Sequence, residues 1–392
     1  MLITKKIRLK PTTEQEILFR KSAGVSRWAY NFFLGENERI YREYIDNGKV
    51  GKKSISEGDV RKYINNILKP TTHSWLKEVG SNVMKQGVKD ASLALQRYFK
   101  GLSGKPKFKS KHKDRPSFYV NYESLSRKQG GFQGEKIGFV KTSEALPKLN
   151  KNEKYSNPRI TFDGKYWYLS VGYEVQESTV ELTDESLGID LGVKDLAICS
   201  NGKVYKNINK TQRVKKLEKK LKREQRKLSR KIENNIQSYK SNRNPIYKRP
   251  LKECQNIQKQ NRLIRNIHRK LANIRQNHLH QTTTEIVKTK PSRIVMESLN
   301  VSGMMKNKHL SKAIQQQKFY EFKRQIEYKS KLNGIEFIQV DKFYPSSKTC
   351  SCCGNIKKDL KLSDRMYKCD VCGLVIDRDY NASINLANYE VI

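Results

Sequence analysis

The chain has 392 residues, 36% of them apolar and 9% aromatic, which is enough to bury ordinary cores and too apolar for a disordered polymer. It carries 80 Lys and Arg against 39 Asp and Glu, a net charge of +41, and self-repulsion of that size destabilises a compact state unless a polyanion offsets it, so nucleic acid is the expected partner. No run of about 18 apolar residues and no signal peptide is present, so a cytoplasmic protein is expected rather than a membrane-spanning or secreted one.

Residues 1–10 read as a strand with basic residues alternating with Ile and Leu. Pro11 and the T-T-E-Q-E run read as a helix start, with Thr12 or Thr13 as cap and Glu14 and Glu16 near the positive end. The pattern stays helical to about Lys100, with Phe19, Trp28, Phe32 and Tyr41 in one apolar set and Leu93, Leu95, Tyr98 and Phe99 in a later one. Trp28, Tyr30, Phe32 and Phe33, interleaved with Arg27 and Asn31, suit either base stacking or a helix core, the commoner fate of such a stripe. Gly101–Pro116 is a basic linker whose Lys105, Lys107, Lys109, Lys111 and Lys113 are candidate RNA phosphate contacts. Residues 117–176 turn β-like: Phe118, Val120 and Tyr122 alternate, as do Tyr166 and Tyr168, and Asp163-Gly164 marks a hairpin, so a small β-barrel is expected.

Residues 186–200, SLGIDLGVKDLAICS, read as a buried strand, a turn and a second strand. Residues 203–275 then hold 25 Lys and Arg against 4 Asp and Glu. Val214, Leu217, Leu221, Leu228 and Ile232 recur at three-four spacing, as do Ile257, Ile264, Ile267, Leu271 and Ile274. This predicts an antiparallel helical hairpin with a narrow apolar seam and a basic exterior. Because Glu partners are few, Arg213, Lys216, Lys220, Arg223, Arg262, Arg265 and Arg269 are candidate phosphate contacts rather than a merely solvated face. Residues 291–301 read as another buried strand, 311–334 as one amphipathic helix and 335–345 as a further strand. From 186 onward the order is that of an α/β layer with a long helical insertion and a short metal insertion.

Five of seven cysteines lie within Cys350–Cys372, which argues against a disulfide framework. Cys350-x2-Cys353 and Cys369-x2-Cys372, fifteen residues apart and each followed by Gly, have the spacing of a closed four-thiolate zinc site, structural because no position stays open. Cys352 lies inside the first pair and is the odd one out. Lys357, Lys358, Lys361 and Lys368 around this knob suggest contact with phosphate. Three acids stand at telling places: Asp190 in an apolar strand, Glu297 at the end of Ile-Val-Met-Glu, and Asp379 at the head of the last helix, with Asp377 as the alternate. Singly, each has a bland reading as a salt bridge or helix cap. Together they suit two Mg2+ ions about 3.5–4 Å apart that activate water and stabilise the leaving oxygen of a phosphodiester. With 6 His, none next to these acids, a histidine-based nuclease is the weaker idea.

GIDLGVKDLAICSNG, IVMESLNVSGM, YPSSKTCSCCG, YKCDVCG and DRDYNASINLAN occur in that order, after an N-terminal IRLKPTTEQE and the linker PKFKSKHKDRPSF. This set resembles TnpB, the nuclease family of one large group of insertion sequences, over nearly the whole chain. The resemblance implies an α/β multidomain protein: a RuvC-like nuclease of RNase H fold with a zinc-ribbon insertion, plus β-barrel wedge and helical recognition domains. It places the wedge at 1–10 and 101–183, the recognition domain at 11–100, and the nuclease core at 184–345 with the basic hairpin at 210–280. The zinc ribbon, a target nucleic-acid-binding module, falls at 346–375 and the final helix at 376–392. It implies catalytic, Mg2+-binding acids at Asp190, Glu297 and Asp379 (alternate Asp377), zinc at the four paired cysteines, and Cys352 as a departure from the pattern. It further implies an RNA-guided DNA endonuclease of an insertion sequence with a guide RNA from the transposon end; a monomer is favoured, with the oligomeric state open. Such a nuclease cuts double-stranded DNA beside a short target-adjacent motif. The alternatives are a non-cleaving RNA-guided repressor or transposition accessory protein, and a DDE-type transposase, which also sets three acids on an RNase H fold.

Overall fold

A computed structural model describes every residue except 112–113, 178–179, 342, 362–363 and 391–392. Two compact units divide between Val175 and Gln176, with Met1 joined to the second, earlier than the 183–184 boundary read from the sequence.

In the first unit, strand β1 (Leu2–Lys10) leads to helix α1 (Thr13–Asp46). Thr12 caps it: its hydroxyl accepts from the Gln15 N–H, and the Gln15 side chain reaches back to the Thr12 N–H, a reciprocal capping box. Helices α2 (Glu57–Tyr63) and α3 (Ser81–Phe99) follow, with a π-helical turn at Ile64–Leu68 between them. Gly87 lets α3 meet α1 closely, since a Cβ there would lie 2.7 Å from the Ser26 carbonyl oxygen. The apolar sets predicted for these helices are only partly inside. Phe19 is buried, but Tyr41 is 53% and Phe99 76% exposed, and the buried face of α3 is instead Val83, Met84, Gly87, Val88 and Ala91. Gly87 on that face lets the two helices approach closely against the Ser26 backbone. Strands β2 (Ser117–Tyr119), β3 (Ser126–Lys128), β4 (Gly131–Gly134), β5 (Gly138–Thr142), β6 (Ser156–Phe162) and β7 (Trp167–Glu174) complete a seven-stranded sheet, in which β1 lies between β7 and β5. The Asp163-Gly164 turn joins β6 to β7 as expected, with Gly164 at φ +99°.

The second unit opens with β8 (Thr183–Leu191), β9 (Asp195–Cys199) and β10 (Val204–Lys206). Helices α4 (Gln212–Glu233) and α5 (Gln255–Val287) form the predicted basic hairpin, closed by Val214, Ile267 and Leu271. The loop between them carries a small β-hairpin, β11 (Ile236–Tyr239) with β12 (Pro245–Tyr247), which the polar sequence did not announce. Strand β13 (Pro291–Met296) is shorter than predicted, and is followed by α6 (Val301–Met304), α7 (Ser311–Gln317), α8 (Phe319–Leu332) and β14 (Glu336–Gln339). The single helix expected over 311–334 is two. Lys318 sits at φ 56°, ψ 46°, and the buried Gln317 amide donates to the Gly192 carbonyl at 2.9 Å, so a tertiary hydrogen bond breaks a run that local propensity would continue. The last elements are β15 (Met366–Lys368), β16 (Val375–Asp377) and α9 (Arg378–Ala387).

The sheet order is β10-β9-β8-β13-β14, with β8, β13 and β14 parallel and β9 running against them. That order is the RNase H arrangement. Alternation along the strands sorts its two faces. Leu187, Ile189, Ile294 and Met296 pack with Leu279, Ile286, Phe322 and Ile326 of α5 and α8. Gly188 and Val295 face α9 instead, Val295 packing with Leu386. Gly188 is required here, because a Cβ would lie 2.0 Å from the Ser383 carbonyl oxygen and 2.4 Å from the Ala387 nitrogen, both backbone atoms. Gly188→Ala is predicted to lower stability by about 1–3 kcal/mol or more in urea unfolding of the full chain; wild-type stability would contradict this docking of α9.

Candidate functional site

The face of the sheet that carries α9 also carries the acids. Asp190 follows Gly188 by two residues on β8, and Glu297 follows Val295 by two just past β13, so period-two alternation points both toward α9. The register pairs Ile189 with Met296, which sets Asp190 and Glu297 side by side. The Leu191 N–H donates to the Glu297 Oε1 at 3.3 Å, fixing the second carboxylate to the strand that holds the first. Asp379 arrives on the first turn of α9.

The electrostatics follow from that crowding. Asp190 is pushed well above the usual carboxylate range, first by burial and then by the charges of Glu297 and Asp379, with Arg378 pulling the other way. Burial and the charge of Asp379 raise Glu297 to about 7, against the Leu191 hydrogen bond. Asp377 is occupied otherwise. Its carboxylate caps α9, accepting from the N–H groups of Asp379 at 3.0 Å and Tyr380 at 3.1 Å, and it is only the weakest of the influences on Asp190. Arg365 Nη1 stands 3.9 Å from Asp379 Oδ2, a loose and exposed pair worth little by itself. Asp190, Glu297 and Asp379 offer the hard oxygen donors that a divalent ion of the magnesium type takes, but their oxygens do not all lie within 4.8 Å of one another as the four sulfurs do.

The four paired cysteines come together, their sulfurs all within 4.8 Å of one another. Cys350 and Cys372 are 3.5 Å apart at sulfur and Cys353 and Cys369 3.6 Å, close to the roughly 3.8 Å edge of a tetrahedron with Zn–S bonds near 2.3 Å, so the donor set fits zinc. Gly354 and Gly373, at φ +74° and +72°, close the two knuckles, their N–H groups donating to the Cys350 and Cys369 carbonyls. Backbone N–H groups of Cys372 and Val371 hold the Cys369 thiol down to about 6, favouring thiolate. Cys352 is exposed and outside the group. Beneath the knuckles the buried Tyr367 hydroxyl donates to the Lys348 and Asn355 carbonyls.

Two asparagines of α9, Asn381 and Asn385, join the residues singled out from the sequence. Both are buried, and both grip the backbone of the first knuckle: Asn381 Nδ2 and Asn385 Nδ2 each donate to the Thr349 carbonyl at 2.7 Å. The available signal was two asparagines one turn apart inside a helix, where that residue is a poor former.

The candidate nucleic-acid contacts divide. Arg213, Lys216, Lys220, Arg223, Arg262 and Arg265 are exposed, whereas Arg269 is half-buried. Lys105, Lys107 and Lys111 are exposed, and Lys113 lies outside the described residues. Lys109 is not a free cation on the linker surface. It is half-buried with its ammonium 3.7 Å from the centre of the Tyr30 ring, and its backbone trades two hydrogen bonds with Asn31. Burial lowers its pKa. Tyr30 and Phe33 are core, while Trp28 and Phe32 are half-buried in a ring cluster with His73, Trp75 and Tyr63. In the zinc module Lys357 is engaged with Asp370 at 2.9 Å, leaving Lys358, Lys361 and Lys368 exposed. One zinc per chain is predicted for Cys352→Ser and a loss of zinc for Cys353→Ser, by metal analysis of purified protein; the reverse pattern would move the ligand register.

Family models match in three places: a probable transposase model (IS605 OrfB) at residues 170–308, a Cas12f1-like TNB domain at 319–386, and a helix-turn-helix domain at 1–46. Residues 1–46 fold here as a strand and one long helix. Among curated relatives is an Escherichia coli K12 protein named "Putative RNA-guided DNA endonuclease InsQ", 30% identical over 399 residues, spanning 97% of this chain and 90% of that one. A Streptomyces pristinaespiralis protein of the same description is 26% identical over 387 residues, at 97% and 87% coverage. Among solved structures, a Cas12f1–sgRNA–target DNA complex aligns over 99% of both chains with a TM-score of 0.55 at 15% identity, a likeness of fold. On the identity and span of the E. coli relative, the chain belongs to the TnpB family of insertion-sequence proteins.

Proposed function

We propose that the chain is an RNA-guided DNA endonuclease of an insertion sequence, hydrolysing phosphodiester bonds at Asp190, Glu297 and Asp379 beside a short target-adjacent motif. What supports this is the placement of Asp190 on β8 and Glu297 just past the neighbouring β13, paired in register, with Asp379 on the first turn of the helix docked on the same face of the sheet. The names of the E. coli and Streptomyces relatives support the RNA-guided reading.

When bound, a pair of Mg2+ ions would polarise the scissile phosphate, activate water and stabilise the leaving oxygen. The chain's part is to hold the ligands. The Leu191 N–H orients Glu297, Asp377 stiffens the turn that presents Asp379, and the strands fix Asp190. Exposed cations on α4 and α5 would follow phosphate backbones, giving affinity that falls with salt. The four-cysteine module, with zinc, would hold the start of α9 in place.

Asp379→Ala is predicted to reduce cleavage of a guide-matched duplex by a factor of at least about 10³, because a ligand is lost. Asp377→Ala should cost about 1 kcal/mol of helix capping and at most roughly tenfold in rate. Equal losses would contradict the assignment of Asp379 as the third acid.

A pH dependence follows from Glu297. Its carboxyl, ordinarily at 4.5, stands near 7 in the folded chain, so the folded state binds this proton more tightly than the unfolded chain. Metal-free stability should therefore fall as pH rises from about 4.5 to about 7. Mg2+ should raise the Tm at pH 8 and do so little at pH 5.5, while Asp190→Ala should raise the metal-free Tm at pH 8 and remove the Mg2+ response. A Mg2+ response that is the same at both pH values would contradict this account.

A further inference from the structure

Helix α9 is held on two sides by the zinc module. On one side, β16 pairs with β15 and runs into Asp377, the cap of α9, and the Arg378 N–H donates to the Arg365 carbonyl at 2.8 Å. On the other, Asn381 straddles Cys350: its Nδ2 donates to the Thr349 carbonyl at 2.7 Å, and its Oδ1 accepts the Ser351 N–H at 3.0 Å. One turn on, Asn385 Nδ2 bridges the Ser346 and Thr349 carbonyls, each at 2.7 Å. Both amides are shielded from water, Asn381 being 0% and Asn385 5% exposed.

These contacts close a ring. From Cys350 it passes through Thr349 and Ser351 to Asn381, back along the first turn of α9 to Asp377, down β16 to Cys372, and across the sulfurs to Cys350, 3.5 Å away. Asp379 lies inside that turn, two residues from Asn381 and two from Asp377. An amide is the side chain that can donate and accept at once here, and a hydrogen-bonded helical turn transmits displacement with little loss.

We propose that Asn381 and Asn385 are positioning residues that couple zinc occupancy of the four-cysteine site to metal affinity at the Asp190, Glu297 and Asp379 cluster. Zinc closes the ring and fixes the turn, and without it the two knuckles part and Asp379 is no longer held against the sheet acids. Because coupling between binding sites is reciprocal, a cation at the acids should also tighten zinc binding by the same factor. The inference rests on the metal-binding reading of the three acids, and the experiment separates the two.

The test uses the full chain with its guide RNA, and Tb3+ as a luminescent probe of the carboxylate cluster. Zinc affinity is measured at equilibrium by competition with a chromogenic chelator. In wild type, stripping zinc should weaken Tb3+ binding about 5- to 50-fold, and saturating Tb3+ should lower the zinc Kd by the same factor. In Asn381→Ala/Asn385→Ala, zinc-loaded protein should already bind Tb3+ weakly, and each metal should alter the other by less than about twofold. Asn381→Asp, which keeps the acceptor for Ser351 and loses the donor to Thr349, should fall between them and carries the test if the double variant does not fold. Tb3+ binding in wild type that ignores zinc, or coupling of full size in the Asn variants, overturns the proposal alone. A wild type that shows no Tb3+ signal sensitive to Asp190→Ala overturns the metal reading of the acids and the coupling with it.

Discussion

Three carboxylates that repel one another must be held together by something stiffer than side chains. Burial and mutual charge raise Asp190 and Glu297, and left to themselves such groups would swing apart or take up protons. The second unit meets this with backbone. Parallel pairing of β8 and β13 sets two acids side by side, an N–H of one strand fixes the acid of the other, and a helix docked on the same face brings the third. In the proposed function, a divalent ion held by these acids would relieve their mutual repulsion.

Much of the surrounding architecture serves the placing of α9. Gly188 clears the sheet so that helix backbone can lie directly on strand backbone. Ser186 Oγ donates to the Ala387 carbonyl at 2.6 Å and Arg293 Nη2 to the same oxygen at 3.1 Å, securing the far end of the helix. Asp377 and the two asparagines secure the near end. The zinc module is therefore an insertion whose two ends both return to α9, which accounts for carboxylates so close behind a metal knuckle.

The parts legible in the sequence were those carried by spacing. Cysteine pairs, an acid in an apolar strand, three-four apolar periodicity in the basic hairpin and an Asp-Gly turn each have a local signature. What sequence reading missed depended on contacts distant in the chain. The break at Lys318 comes from Gln317 reaching Gly192, and the role of Lys109 from Tyr30 lying under it. The buried face of α3, centred on Gly87, follows from its close approach to α1. The cap that occupies Asp377 and favours Asp379 in the proposed function is not visible in the sequence, because DRD reads the same in either role. The hairpin β11–β12 is polar and short, so its alternation carries no hydrophobic signal.

The most direct measurement is plasmid depletion by the protein co-expressed with its flanking RNA, on a library randomised beside the guide-matched target, wild type beside Asp190→Ala. Loss of plasmids bearing one short motif with wild type, and with no loss for Asp190→Ala, is the predicted result. Retention of every motif by wild type, with RNA and DNA still bound, would contradict the nuclease account and favour a guided repressor.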